Sequence, residues 1–138
     1  MYATEQDIID RYSDDELLIA FDRDGSGMAD PGAVTRALTD ASSMIDAYLT
    51  ASYQLPLQTV PDILVPVCVD IALYKGSIST AQTDEKRQRY QDAIKLLDKV
   101  AQGLIKLGLD PETAPSQQAD ILLDAPGKLF GRDTLERF

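Results

Sequence analysis

The sequence predicts an all-α fold: a compact bundle of about five helices, two short and three long, over residues 1–109, with an extended C-terminal arm over 110–138. Three observations predict it. Apolar residues recur at i, i+3, i+4 and i+7 through the long stretches, which is the period of one helical face. Thr, Ser and Asp stand where helix N-termini need side-chain acceptors for their unpaired backbone N–H groups. Proline and glycine fall at the breaks between stripes and gather after residue 110.

Thr4 followed by Asp7 opens a first short helix at 5–11, and Ser13 with Glu16 forms a capping box ahead of a second at 14–21. Their carboxylates, Asp7, Asp10, Asp14, Asp15 and Glu16, follow the acidic bias of helix N-termini and read as solvated surface rather than a catalytic constellation. Asp30 caps a third helix at 31–52, and Pro31 takes its first position, where the missing N–H costs nothing. Its stripe is Val34, Ala37, Leu38, Ala41, Met44, Ile45, Tyr48 and Leu49, with Arg36, Asp40, Ser43, Asp46 and Ala47 opposite. About twenty residues at 1.5 Å give a rod of ~30 Å whose apolar stripe requires neighbours. Pro56 bars further helix, so the chain leaves extended through Leu55 and Leu57.

The fourth helix, 62–77, carries Ile63, Leu64, Val67, Cys68, Ile71, Ala72 and Tyr74 on a broad face, and Val65, Val69 and Leu73 leave it little polar surface. A helix apolar nearly all round belongs at the centre of the core. Pro66 either kinks it or is its first residue. Asp70 in such company needs a partner, with Lys75 or an arginine of a neighbouring helix the candidates for a buried ion pair. After a small-residue break, Thr83 caps a fifth helix at 84–107, with the stripe Tyr90, Ala93, Ile94, Leu97, Val100, Ala101 and Leu104 and with Gly108 closing it. Lys86, Arg87, Arg89, Lys95, Lys99 and Lys106 mark its exposed face as the one basic concentration in the chain. In the arm, Ile121, Leu122, Leu123, Leu129 and Phe130 are apolar residues in a polar setting, and a segment of that kind docks on something.

At 138 residues the chain suits one domain. Thirteen basic against 23 acidic residues give a net charge of −10, which disfavours phosphate backbones and anionic lipid as partners. The most apolar stretch, 63–74, is broken by Pro66 and Asp70, and no charged start precedes an apolar run, so no membrane partner and no export are expected. The single Cys68, between Val67 and Val69, reads as a small buried hydrophobe in a reducing compartment.

One loop raises a competing chemistry. Asp22, Asp24, Ser26, Gly27 and Asp30 occupy positions 1, 3, 5, 6 and 9 of a calcium-loop template, but position 12 is Ala33 where a bidentate Glu is needed. The preferred reading is a glycine-rich turn whose carboxylates hold backbone donors and cap the next helix. The sequence has no histidine, no nucleophile elbow, no Walker loop and no cysteine pair, so no enzyme and no cofactor are expected. Two readings remain: a structural oligomer-forming protein, which is favoured, and a calcium-dependent protein-binding module built on the 22–30 loop.

The ordered set Met-Tyr-Ala-Thr-Glu-Gln-Asp at 1–7, Asp-Arg-Asp-Gly-Ser-Gly at 22–27, Ser-Ser-Met-Ile-Asp-Ala-Tyr-Leu at 42–49, Ser-Tyr-Gln-Leu-Pro-Leu at 52–57, Val-Asp-Ile-Ala-Leu-Tyr at 69–74 and Leu-Phe-Gly-Arg-Asp at 129–133 resembles the Mu-like phage head–tail connector, or neck adaptor, family. The resemblance implies a virion protein of the neck, assembled in the host bacterial cytoplasm as a homo-oligomeric ring. That ring would be twelve-fold like the portal it sits beneath, with portal and tail or neck proteins as partners. Genome DNA would pass through the lumen without sequence-specific binding. A ring of twelve would carry about 120 negative charges, repelling DNA from its wall. Such a ring must overcome its own repulsion. The contact candidates are the basic face of the fifth helix, with Arg87, Lys95 and Lys99, meeting the acidic N-terminal half of the next copy, and the arm residues Ile121, Leu122, Leu129, Phe130 and Arg132.

Overall fold

The structure, a computed structural model, describes residues 1–77 and 79–108. Its helices are α1 (Glu5–Arg11), α2 (Asp14–Phe21), α3 (Pro31–Leu49), α4 (Leu64–Gly76) and α5 (Asp84–Ala101), with a 3₁₀ turn at Ser79–Ala81, and there is no strand among the described residues. The fold is the all-α bundle of two short and three long helices that the periodicity predicts. The expected arm, with Ile121, Leu122, Leu129, Phe130 and Arg132, lies outside the described residues.

The helix starts follow the capping residues. At α1 the Asp7 N–H donates to Thr4 Oγ1 at 3.3 Å and the Thr4 N–H to Asp7 Oδ2 at 2.8 Å, a reciprocal box. Asp30 accepts from the Gly32 N–H at 3.0 Å and Thr83 from the Lys86 N–H at 3.1 Å. Ser13 likewise accepts from the Glu16 N–H at 3.2 Å, but the expected reciprocal half is missing there. The Glu16 carboxylate instead reaches Lys86 Nζ at 2.8 Å.

Helix ends depart from expectation, at α3 through a tertiary contact and at α4 and α5 through local geometry. Helix α3 stops at Leu49, whose carbonyl accepts from the Ser52 and Tyr53 N–H groups at 2.9 and 2.8 Å. The freed Ser52 hydroxyl contacts the carbonyls of Val100 and Ala101 at 3.2 and 3.0 Å, two of the last carbonyls of α5, which have no donor inside that helix. Helix α5 ends at Ala101, not near 107. Gly103, rather than Gly108, closes it in the left-handed conformation at φ +80°, with Leu104 N–H bonded to Lys99 O at 2.9 Å and Gly103 N–H to Val100 O at 3.0 Å. Leu104, expected on the buried stripe, is consequently exposed. Pro66 is neither a kink nor the first residue of α4. It is the third helical residue, still within the turn whose N–H groups have no intrahelical acceptor, so the ring displaces no bond.

Helix α4 is the centre, packing against each of the other four. Leu64, Cys68, Val69, Ile71 and Ala72 are fully buried along it, sheathed by Ile45 and Leu49 of α3, Leu97 and Val100 of α5, and Ile8 and Phe21 of the short helices. Burial pushes the Cys68 thiol above its ordinary pKa, as for a structural hydrophobe rather than a reactive thiolate. At the end of α4 the chain needs glycine for space: a Cβ on Gly76 would lie 2.3 Å from Phe21 Cε1 and 3.1 Å from Ala37 Cβ. The Gly76 carbonyl accepts from Arg23 Nη2 at 2.6 Å, so the 22–27 loop clasps the same helix end that Phe21 packs against.

Two outcomes test this packing. Ile45→Asp and Ile71→Asp each bury a carboxylate with no partner at a cost of several kcal/mol, against a total stability of roughly 5 to 15, and circular dichroism should show loss of helix at room temperature. Gly76→Ala should fold but melt lower, with a loss of about 1–3 kcal/mol from overpacking against the Phe21 ring. An unchanged melting temperature would mean that the ring does not press on this backbone.

Candidate interaction surfaces

The polar residues of the bundle divide into those that fasten the short helices to the core and those that face solvent. Lys86 belongs to the first group, although the sequence places it on the exposed basic face. It is only 5% exposed, and its ammonium meets Glu16 Oε1 at 2.8 Å, the Ala81 carbonyl at 2.9 Å and Ser77 Oγ at 3.3 Å. Arg89 is half-buried, pairing with Glu85 at 3.0 Å and lying over the Tyr12 ring at 4.4 Å, a cation–π contact. Part of the basic face therefore meets the acidic N-terminal half of the same chain. A signal for Lys86 was present, since seven residues before Ala93 is the same face of the helix; its partner Glu16, seventy residues away, had none.

Asp70 is held by a tyrosine, not by Lys75 or an arginine in direct contact: the Tyr12 hydroxyl donates to Asp70 Oδ1. Desolvation raises the Asp70 carboxyl pKa, while the Tyr12 bond and the charges of Arg11 and Arg89 oppose the rise. A parallel clamp fixes the N-terminus to α3, where the Tyr2 hydroxyl donates to Asp46 and the Tyr2 N–H to Ser42 Oγ at 3.1 Å. Burial and then the Asp46 bond push the Tyr2 phenol well above its ordinary pKa. Neither Tyr–Asp pair is visible as a local pattern, because each joins residues more than forty apart.

What remains exposed on α5 is narrower than expected. Arg87 is paired with Asp84 at 2.7 Å within its own helix, whereas Lys95 and Lys99 are exposed without an ion-pair partner among the described residues. Lys106 lies beyond the helix end. Beside Lys95, a shallow groove of about 300 Å³ runs between α3 and α5, lined by Met44, Tyr48, Tyr90, Gln91 and Ile94. Tyr90 is braced from behind by Tyr74, the rings stacked at 4.4 Å.

In the 22–30 loop the carboxylates are occupied by backbone. Asp22 Oδ1 and Asp24 Oδ1 both accept from the Ser26 N–H at 3.0 Å, Asp22 Oδ2 accepts from Gly27 N–H at 2.9 Å, and Asp30 caps α3. The Ser26 bonds lower the Asp24 pKa. Ser26 Oγ lies 3.4 Å from the Met28 carbonyl. Ala33, at the twelfth template position, is buried in the first turn of α3 and faces the core, where no liganding carboxylate would fit without desolvation. Among the described residues no group of three or more Asp, Glu, Cys or His side chains is arranged to hold a metal, and no helix is long and apolar enough to cross a membrane.

From these bonds, the melting temperature should be the same in calcium and in chelator, both for the parent chain and for Asp22→Ala with Asp24→Ala. A calcium-induced rise that the double substitution abolishes, measured by thermal scanning, would restore the calcium-module reading.

Comparison with known proteins places this arrangement. Residues 2–123 match the family model described as Bacteriophage Mu, Gp36. The chain is 40% identical over 141 aligned positions to the Mu-like prophage FluMu protein gp36 of Haemophilus influenzae, covering 100% of this chain and 98% of that protein. It is 32% identical over 123 residues to gene product J of Escherichia phage Mu, covering 88% of this chain and 86% of that one. The loop, the α3 stripe and the α4 core all lie within the matched span, and this chain belongs to the bacteriophage Mu Gp36 family.

Proposed function

We propose that this Mu-like phage protein is a structural, non-catalytic component of the virion: a head–tail connector that forms an oligomeric ring in the neck, between portal and tail, through which the genome passes. The observation that carries the reading is the near full-length relationship to gp36 of a Mu-like prophage and to gene product J of phage Mu. The physical character of the chain supports it. Its polar side chains are spent on caps, on the Glu16–Lys86 pair and on the two Tyr–Asp clamps, all of which stiffen a small bundle rather than assemble a reaction centre. A net charge of −10 suits a subunit past which DNA must slide, because like charge keeps the duplex from adhering to the wall. Residues 109–138 extend beyond the last described helix and carry the apolar pairs expected to engage a neighbouring subunit or ring.

Two outcomes check the reading in a Mu-like prophage. Loss of the gene should yield filled heads and free tails, seen by electron microscopy, with joining restored by the gene in trans. A chain ended after Leu109 should keep its helix content but fail to enter particles. Joined particles in the absence of the protein, or complete necks built from the shortened chain, would remove the connector assignment.

A further inference from the structure

We propose that the groove between α3 and α5 is the receiving face for α2 of a second copy of this chain, with Ile19 as the inserted residue and Asp15 paired to Lys95 on the rim. Of the large hydrophobic residues exposed among the described residues, Ile19, at 57%, is the one that lies within a helix; Met1, Met28, Val60, Ile63 and Leu104 all sit in loops or at helix ends. Asp15, one turn earlier on the same exposed face of α2, presents a carboxylate beside it. The groove offers the complement: apolar walls from Met44, Tyr48, Tyr90 and Ile94, and Lys95 at its edge with no ion-pair partner of its own. On a chain of net charge −10, an exposed lysine without an ion-pair partner on the rim of an apolar groove, Lys95, with Lys99 one turn further along α5, marks a face where another acidic copy is attracted rather than repelled.

The two faces cannot meet within one copy. Ile19 lies beside Glu85 and Arg89 on one flank of α5, whereas Ile94, nine residues after Glu85, projects half a helical circumference away. A contact between unlike faces on opposite flanks is heterologous, so every copy uses both faces and the assembly closes when the rotation per step divides a full turn. A groove of this size serves as the anchor of such an interface, while surrounding contacts complete the roughly 1,200–2,000 Å² that a stable one buries. The inference deepens the ring reading by naming the surfaces that join subunits.

The test is disulfide trapping in the full-length chain, where buried Cys68 stays out of reach. Ile19→Cys with Gln91→Cys should give linked dimers and a ladder of higher species under mild oxidation, and neither single variant should do so. In parallel, Lys95→Glu should weaken self-association about tenfold by light scattering, and adding Asp15→Lys should return it to within about threefold. If the unsubstituted chain is oligomeric but the double-cysteine chain links no more than the single variants, these surfaces are wrong while the ring reading stands. Equal dimer formation by one single variant indicates a two-fold contact and overturns the proposal. A link within one chain between Leu122→Cys and Gln91→Cys assigns the groove to the arm and overturns it too. A chain that is monomeric and unlinked, both alone and with portal and tail proteins, overturns the surfaces and the ring together.

Discussion

Helix α4 buries residues on nearly every side, keeping only Lys75 exposed, and the rest of the bundle is arranged to cover it. Each of its fully buried aliphatic side chains contributes about 1.5–3 kcal/mol only if it is covered all round. Helices α3 and α5 cover two sides, and each is striped on one face as a sheathing helix must be. Helices α1 and α2 are too short to persist alone and are held on the remaining side by Ile8, Leu17, Ala20 and Phe21. The end of α4 shows how tight the cover is, since Phe21 leaves no room for a Cβ at Gly76.

The polar side chains make the apolar bundle specific. Apolar contact alone would allow the short helices to slide along α4. The Glu16–Lys86 pair, the Tyr12–Asp70 bond and the Tyr2–Asp46 bond each favour one register, the first most strongly, because Lys86 is buried and its ammonium would be left uncompensated without a partner. Ser52 and Arg23 act similarly at helix ends, supplying donors to carbonyls of α5 and α4 that have no partner within their own helix. These bonds fasten the frame that carries the exposed features, the α3–α5 groove and Ile19 of α2.

In the connector role proposed above, this economy suits a part that assembles. The positive charge that remains unpaired on α5 is confined to Lys95 and Lys99, beside the groove, while Lys86, Arg87 and Arg89 are taken up within the subunit. In the ring proposed above, that part of α5 is one place where an acidic neighbour is attracted, alongside the exposed Arg11, Arg36 and Lys75 on other helices.

The sequence by itself determined the fold class, the number and order of the helices, three of the four predicted N-terminal caps in full, and the central place of α4. These depend on residues within one or two turns of each other, where period and capping chemistry act without help from elsewhere. It also assigned the carboxylates of the 22–30 loop to backbone donors, since that too is a local bond pattern. Tertiary structure alone decided the end of α3, the partners of Glu16 and Asp70, and which basic residues stay exposed. Helix α3 ends early where Ser52 is drawn to the C-terminus of α5, and Glu16 leaves its own cap for Lys86 on another helix. Each of these outcomes is a competition between a local bond and a distant one, and the distant partner is brought near only when the helices pack.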